Sequence, residues 1–138
     1  MFVAYIGLAV LIGFLMGSFN LPEYFRLARE GRASSAIVTA TDCGNHLNFS
    51  YKFAVGEAAY TGKGGAGFGT AACSELRPGD AVVVYYLPAR PETNVPGDIR
   101  NRLENEVTSV LGAALLGPAF LIGLVMWQLK RLADEKDD

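Results

Sequence analysis

Asp42, Cys43, His46, Cys73 and Asp80 carry side chains whose types and spacing allow chemistry. Cys43 and His46 make a Cys-x-x-His pair, and Cys73 adds a distant second sulfur. Three chemistries are open to them. A disulfide between Cys43 and Cys73 would close a loop of about thirty residues and stabilise a small domain by a few kcal/mol, and it requires an oxidising compartment. A metal centre would recruit Cys43, His46 and Cys73, with Asp42 or Asp80 as the fourth ligand of a structural zinc. The third reading is two unlinked thiols. Catalysis by Cys43 with His46 as its base is disfavoured, because both lie in one short turn whose Asp42 and Asn45 suit local backbone hydrogen bonding.

Gly62-Lys63-Gly64-Gly65-Ala66-Gly67 matches G-x-G-x-x-G. A dinucleotide site needs that motif to open a helix within a strand-helix-strand unit. Here Gly69-Thr70-Ala71-Ala72-Cys73 runs straight on to the next turn, so residues 62–69 are expected to be a flexible hairpin loop. No cofactor, metal or catalytic set is expected. Asn48-Phe49-Ser50 is formally a glycosylation sequon but falls inside a strand. Tyr51, Tyr60, Tyr85 and Tyr86 read as packing residues rather than a recognition surface.

The elements that position these residues follow from periodicity. Residues 36–41 read as a strand. Leu47, Phe49, Tyr51, Phe53 and Val55 alternate with Asn48, Ser50, Lys52 and Ala54, the pattern of a half-buried strand. Residues 55–58 form a tight turn, and Ala59-Tyr60-Thr61 begins the return strand. Arg77-Pro78-Gly79-Asp80 is a second turn, followed by the apolar run of residues 81–86. Pro88 and Pro91 are expected to end strand pairing. Four short antiparallel strands would make a small antiparallel β-sheet or open β-barrel.

The chain of 138 residues is 51% hydrophobic and 19% charged, with a mean hydropathy of +0.24. The apolar excess is concentrated in residues 1–21 and 107–129, which hold no charged side chain. A bilayer core needs about 20 helical residues, so both are expected to be transmembrane helices. The first lacks the basic start and small-residue exit of a signal peptide and reads as an uncleaved anchor. The expected organisation is transmembrane helix 1–21, interfacial helix 22–32, β-domain 33–97, juxtamembrane helix 98–106, transmembrane helix 107–129 and charged tail 130–138. Asn20 and Asp98 are expected helix caps, and Gly31 suits a helix stop. Arg26, Arg29, Arg100 and Arg102 would reach lipid phosphates from the interface. Ala9, Gly13 and Gly17 in one span and Ser109, Ala113 and Gly117 in the other recur every fourth residue, and these grooves are expected to face each other. Pro118 should kink the second span.

Tyr51, Phe53, Gly56, Tyr60, Gly79, Asp80, Val82, Val84, Tyr86, Pro88 and Pro91 recur in an order that resembles the bacterial membrane proteins catalogued as domain of unknown function 3592. The resemblance covers residues 33–91 and the flanking spans. It departs in the Gly-rich stretch, at Leu87, where that family often has Asp, and in the cysteines. It implies an α+β membrane protein and carries no established activity.

A net charge of −2 disfavours nucleic-acid binding. The lipid bilayer is the expected partner, with an envelope protein as a possible second. Basic flanks favour a cytoplasmic domain, but that rule weakens for long translocated segments. The cysteine pair points outward, so the β-domain is expected on the extracytoplasmic side of the inner membrane. The functional expectation is a non-enzymatic binding or assembly module, with a thiol-redox or metal sensor built on Cys43, His46 and Cys73 as the alternative.

Overall fold

The computed structural model describes residues 2–134. Its elements run α1 (Phe2–Glu30), β1 (Arg32–Asp42), β2 (Asn48–Val55), β3 (Ala58–Gly65), β4 (Ala81–Leu87), β5 (Arg90–Pro96) and α2 (Ile99–Asp134). They divide into two compact units, one of residues 2–21 with 105–134 and the other Pro22–Glu104. The end of the expected charged tail, residues 135–138 with Lys136, lies outside the described residues.

The Pro22–Glu104 unit is built on one antiparallel sheet in the order β3-β2-β1-β4-β5. Alternation along β2 turns Phe49, Tyr51 and Phe53 inward, where they meet Ala36 and Val38 of β1, Val82 and Val84 of β4, and Leu76 from the β3–β4 connection. Full burial of each large apolar side chain contributes about 1.5–3 kcal/mol. Ring centroids 5.6–6.5 Å apart link Phe49, Tyr51, Phe53, Tyr60 and Tyr86, so these tyrosines are packing residues. Leu47, expected to begin this strand, instead lies in the preceding turn at φ 56° and is exposed. Gly56 takes φ 62° in the two-residue turn from β2 to β3, a conformation that suits glycine at the first central position of a hairpin. In the turn before β4, the Asp80 carboxylate accepts the Arg77 N–H at 2.7 Å.

Two expectations need correction here. The sheet has five strands rather than four: chain pairing continues past Pro88 and Pro91 into β5, which pairs with β4 through Tyr85–Val95 and Tyr86–Asn94. Proline lacks an N–H but is tolerated on an edge strand, where one side of the ladder is unused. The Gly-rich stretch is also only half a loop. Its first part belongs to β3, with Gly62 opposite Tyr51 and Gly64 opposite Phe49.

A second cluster joins Leu27 of α1 to Leu87, Val95 and Ile99, with Tyr24 and Tyr85 packed against it. This anchor explains why α1 runs to Glu30 without the break expected at Asn20, although Pro22 lies inside it. The helix ends at Gly31, whose N–H donates to the Leu27 carbonyl at 2.9 Å. Asp98 caps α2 as expected, its carboxylate accepting the Arg100 N–H at 2.8 Å.

The other unit is a pair of helical segments. The most apolar window of each parent helix has a mean hydropathy of 2.2 or 2.1 and holds almost no buried residue. Phe14 and Phe120 are 72% and 71% exposed, which a core helix of a water-soluble protein would not show. Both helices are therefore long and apolar enough to cross a membrane.

Candidate functional site

Cys43 follows β1 and Cys73 precedes β4, and the structure joins them as a disulfide with a Cα–Cα distance of 5.6 Å. Of the three chemistries open to this pair, the structure carries the first. The bond ties the turn at residues 43–47 to the long β3–β4 connection, from which Cys73 and Leu76 are buried. A bonded sulfur offers no thiolate to a metal, and among the described residues no three His, Cys, Asp or Glu side chains form a cluster able to hold one. His46 is exposed on the same turn at φ 54°. Asp80 is used by its own turn. Asp42 instead faces Lys63 at 3.9 Å, and both side chains are 53% exposed. Such a surface pair contributes little to stability.

The G-x-G spacing has a structural use. The sheet curls until its two edge strands, β3 and β5, approach each other, leaving one seam. Across it the Tyr51 hydroxyl donates to Asn94 Oδ1 at 2.7 Å, and the Asn94 amide donates to the carbonyls of Pro91 at 2.8 Å and Glu92 at 3.0 Å. The Asn94 side chain thus uses its carbonyl oxygen and its amide group. Gly62 lies directly over this pair: a Cβ there would overlap Asn94 Oδ1 and the Tyr51 ring and hydroxyl. A Cβ at Gly64 would stand 2.7 Å from the Pro96 ring. The two glycines are therefore cut away for the close approach of β5, and Lys63 between them points outward.

Arg102 closes the seam. Its Nε donates to the carbonyl of Pro96, the last residue of β5, at 2.6 Å, and its Nη2 donates to the carbonyl of Gly65, the last residue of β3, at 2.7 Å. One planar fork thus takes both strand-end acceptors. The Phe68 ring lies 4.8 Å from the guanidinium carbon, a cation–π distance. Phe68 is held at φ 52°, and its carbonyl accepts the Asp98 N–H at 2.5 Å. The Tyr24 hydroxyl also lies beside the charge. Among the described residues no carboxylate comes within 4.0 Å of Arg102, so carbonyl oxygens, an aromatic face and a phenol solvate a buried cation. Burial likewise holds the Tyr51 phenol far above its usual range, opposed by the charge of Arg102.

This corrects the expectation that Arg102 reaches lipid phosphates: it is 8% exposed, within the β-domain. Neither Arg102 nor Asn94 was expected among the working residues. The available signal was position, since Arg102 lies three residues after Ile99 and so on the flank of the buried stripe of α2.

In the helical unit, a Cβ at Gly13 would meet Ala114 at 3.4 Å, and one at Gly17 would meet Val110 at 3.7 Å. A Cβ at Gly117 would meet Ile12 at 3.1 Å. Gly13 thus faces a small residue of the other helix, whereas Gly17 and Gly117 receive the larger Val110 and Ile12. Ala9 and Ala113 are half-buried, whereas Ser109 is exposed. Asn20 donates to Glu106 Oε1 at 3.1 Å. Pro118 is fully buried, and in the turn before it the Leu115 carbonyl accepts the Tyr5 hydroxyl at 2.6 Å. Proline removes the N–H that the Ala114 carbonyl would accept in a regular helix, and the Tyr5 bond falls on the next carbonyl along.

Comparison with family models, with curated proteins and with solved structures returns no match for this chain.

Proposed function

We propose that this chain is a non-enzymatic binding or assembly module: a disulfide-bonded β-domain held at the cell membrane by two spans and presented on the extracytoplasmic side of the inner membrane. The observation that carries the reading is the filled barrel. Phe49, Tyr51, Val38 and Val84 occupy its interior without exposure, so the working surface is the outside of the sheet. There Ile37 and Val83 are apolar yet 39% and 51% exposed, on the paired strands β1 and β4, the kind of site a protein partner covers. The Cys43–Cys73 bond supports an oxidising side, and the resemblance to the domain-of-unknown-function 3592 proteins supports a bacterial envelope setting. The test is photocrosslinking in cells from Ile37 and Val83 of the full chain. A reproducible adduct with one envelope protein is expected. Adducts with lipid alone, or none, would count against the module.

A second reading, a thiol-redox sensor, draws on the same disulfide. Reduction would release residues 66–80 from the turn that holds His46. Metal sensing would require that reduction first, since a cysteine binds zinc as its thiolate. Replacing both cysteines by serine with no change of response to oxidants or metals would dismiss this alternative.

A further inference from the structure

We infer that a cleft between the end of α1 and the β4–β5 hairpin seats the phosphate group of a glycerophospholipid headgroup. Arg26 and Glu30 form one wall, Arg90 stands on the other, and Leu87, Pro88 and Ala89 line the rest of a cavity of about 380 Å³. Two arginines from separate elements therefore line one small space. Among the described residues neither has a carboxylate within 4.0 Å, so their donors are free for a ligand. A phosphodiester offers two non-bridging oxygens, one for each arginine fork, a pairing that arginine geometry favours. Glu30 on the same wall accepts from the ammonium or hydroxyl donor at the outer end of such a headgroup. Buried Leu87 gives the cleft an apolar base.

Arg26 follows the last residue of the uncharged segment, Leu21, by five positions. At about 1.5 Å per residue this is roughly 7 Å along α1, comparable with the depth of the headgroup layer beyond the hydrocarbon core. The inference rests on the membrane reading above but not on any protein partner, and carbonate extraction of the full chain tests anchoring separately.

A soluble glycerophosphodiester carries the same chemistry, and the experiment separates the two sources. Full-length protein is purified in mild detergent, stripped of lipid, and offered phosphatidylethanolamine, diacylglycerol or glycerophosphoethanolamine, with bound molecules counted by native mass spectrometry. Phosphatidylethanolamine is expected to be retained and diacylglycerol not. Arg26→Gln and Arg90→Gln are each expected to weaken retention roughly ten-fold, the worth of a charge-assisted contact. Arg77→Gln, exposed in the turn before β4 and outside the cleft, is expected to leave it unchanged. Equal thermal unfolding of the three lipid-free variants shows that folding is not the cause. Binding of glycerophosphoethanolamine at concentrations equal to those of the lipid assigns the phosphate site to a soluble ligand. Retention of diacylglycerol as strong as that of the phospholipid, or a double Arg26→Gln/Arg90→Gln variant that binds like the parent, overturns the inference.

Discussion

The carbonyls of Gly65 and Pro96, which end the two edge strands of the sheet, share one donor group, the guanidinium of Arg102. An open sheet edge exposes unpaired backbone groups and invites pairing with other chains. Here part of that edge is satisfied by a side chain from the first turns of α2. The geometry needs a planar fork, and the burial needs both hydrogen bonds.

Arg102→Lys is therefore expected to be nearly as harmful as Arg102→Ala, because an ammonium is a point donor that cannot reproduce the fork. Either change leaves buried carbonyl oxygens short of donors, at about 1–3 kcal/mol for each group. Denaturant unfolding of the full chain in detergent measures it. A lysine variant with unchanged stability would show that the fork is dispensable.

Gly62→Ala is expected to destabilise the domain by about 1–3 kcal/mol through overpacking against Tyr51 and Asn94. Gly65→Ala is the internal comparison. Its Cβ would meet only the His46 carbonyl at 3.7 Å, an ordinary contact. If the stretch served a phosphate rather than the seam, Gly62→Ala would leave the melting temperature untouched. The two melting curves decide between these uses.

The glycines and Arg102 also mark where the sequence stops being readable. Phe49, Tyr51 and Phe53 announce β2 because inward residues are apolar and outward ones polar, and the structure keeps that alternation. The long apolar segments are legible because lipid demands uninterrupted apolarity. Strand β5 is not, because Pro88 and Pro91 read as terminators, and only an edge position makes proline tolerable within it. The expected loop at Gly62 hid half a strand because glycine has no side chain to show periodicity. Arg102 reads as an interfacial residue because a charge is ordinarily a surface group. Its burial depends on carbonyls 6 and 37 residues away.

Removing the Cys43–Cys73 bond is expected to cost about 3–4 kcal/mol on loop-entropy grounds for a separation of 30 residues. Chemical denaturation of the Cys43→Ser/Cys73→Ser variant measures this. Electrophoresis with and without reductant after thiol alkylation establishes whether the bond forms in native membranes. Two alkylated thiols in unreduced protein would remove the argument for an oxidising side.

Gly13→Leu is expected to lower abundance and thermal stability in lipid, because Ala114 already stands 3.4 Å from the position of a Cβ. Gly7→Leu is the control, with open space around it. Close approach at small residues is a main source of helix association in membranes. Equal behaviour of the two variants would show that Gly13 does not set the spacing.

The Tyr51 phenol predicts the response to alkali. Burial opposes its negative form, so its folded-state pKa stands above the ordinary value near 10. A group raised in this way gives its full stabilisation below the unfolded-state pKa, and that stabilisation falls as pH climbs toward the folded-state value. The domain is therefore expected to lose stability progressively above about pH 10. Tyr51→Phe removes this dependence and also leaves Asn94 Oδ1 without its donor, so it should be less stable at neutral pH by about 1–3 kcal/mol yet flatter in alkali. Phenolate absorbance followed alongside circular dichroism tests the assignment. One tyrosine should ionise only as the sheet unfolds, and that step should be missing in Tyr51→Phe. Ionisation of Tyr51 ahead of unfolding would mean that the seam between β3 and β5 admits water.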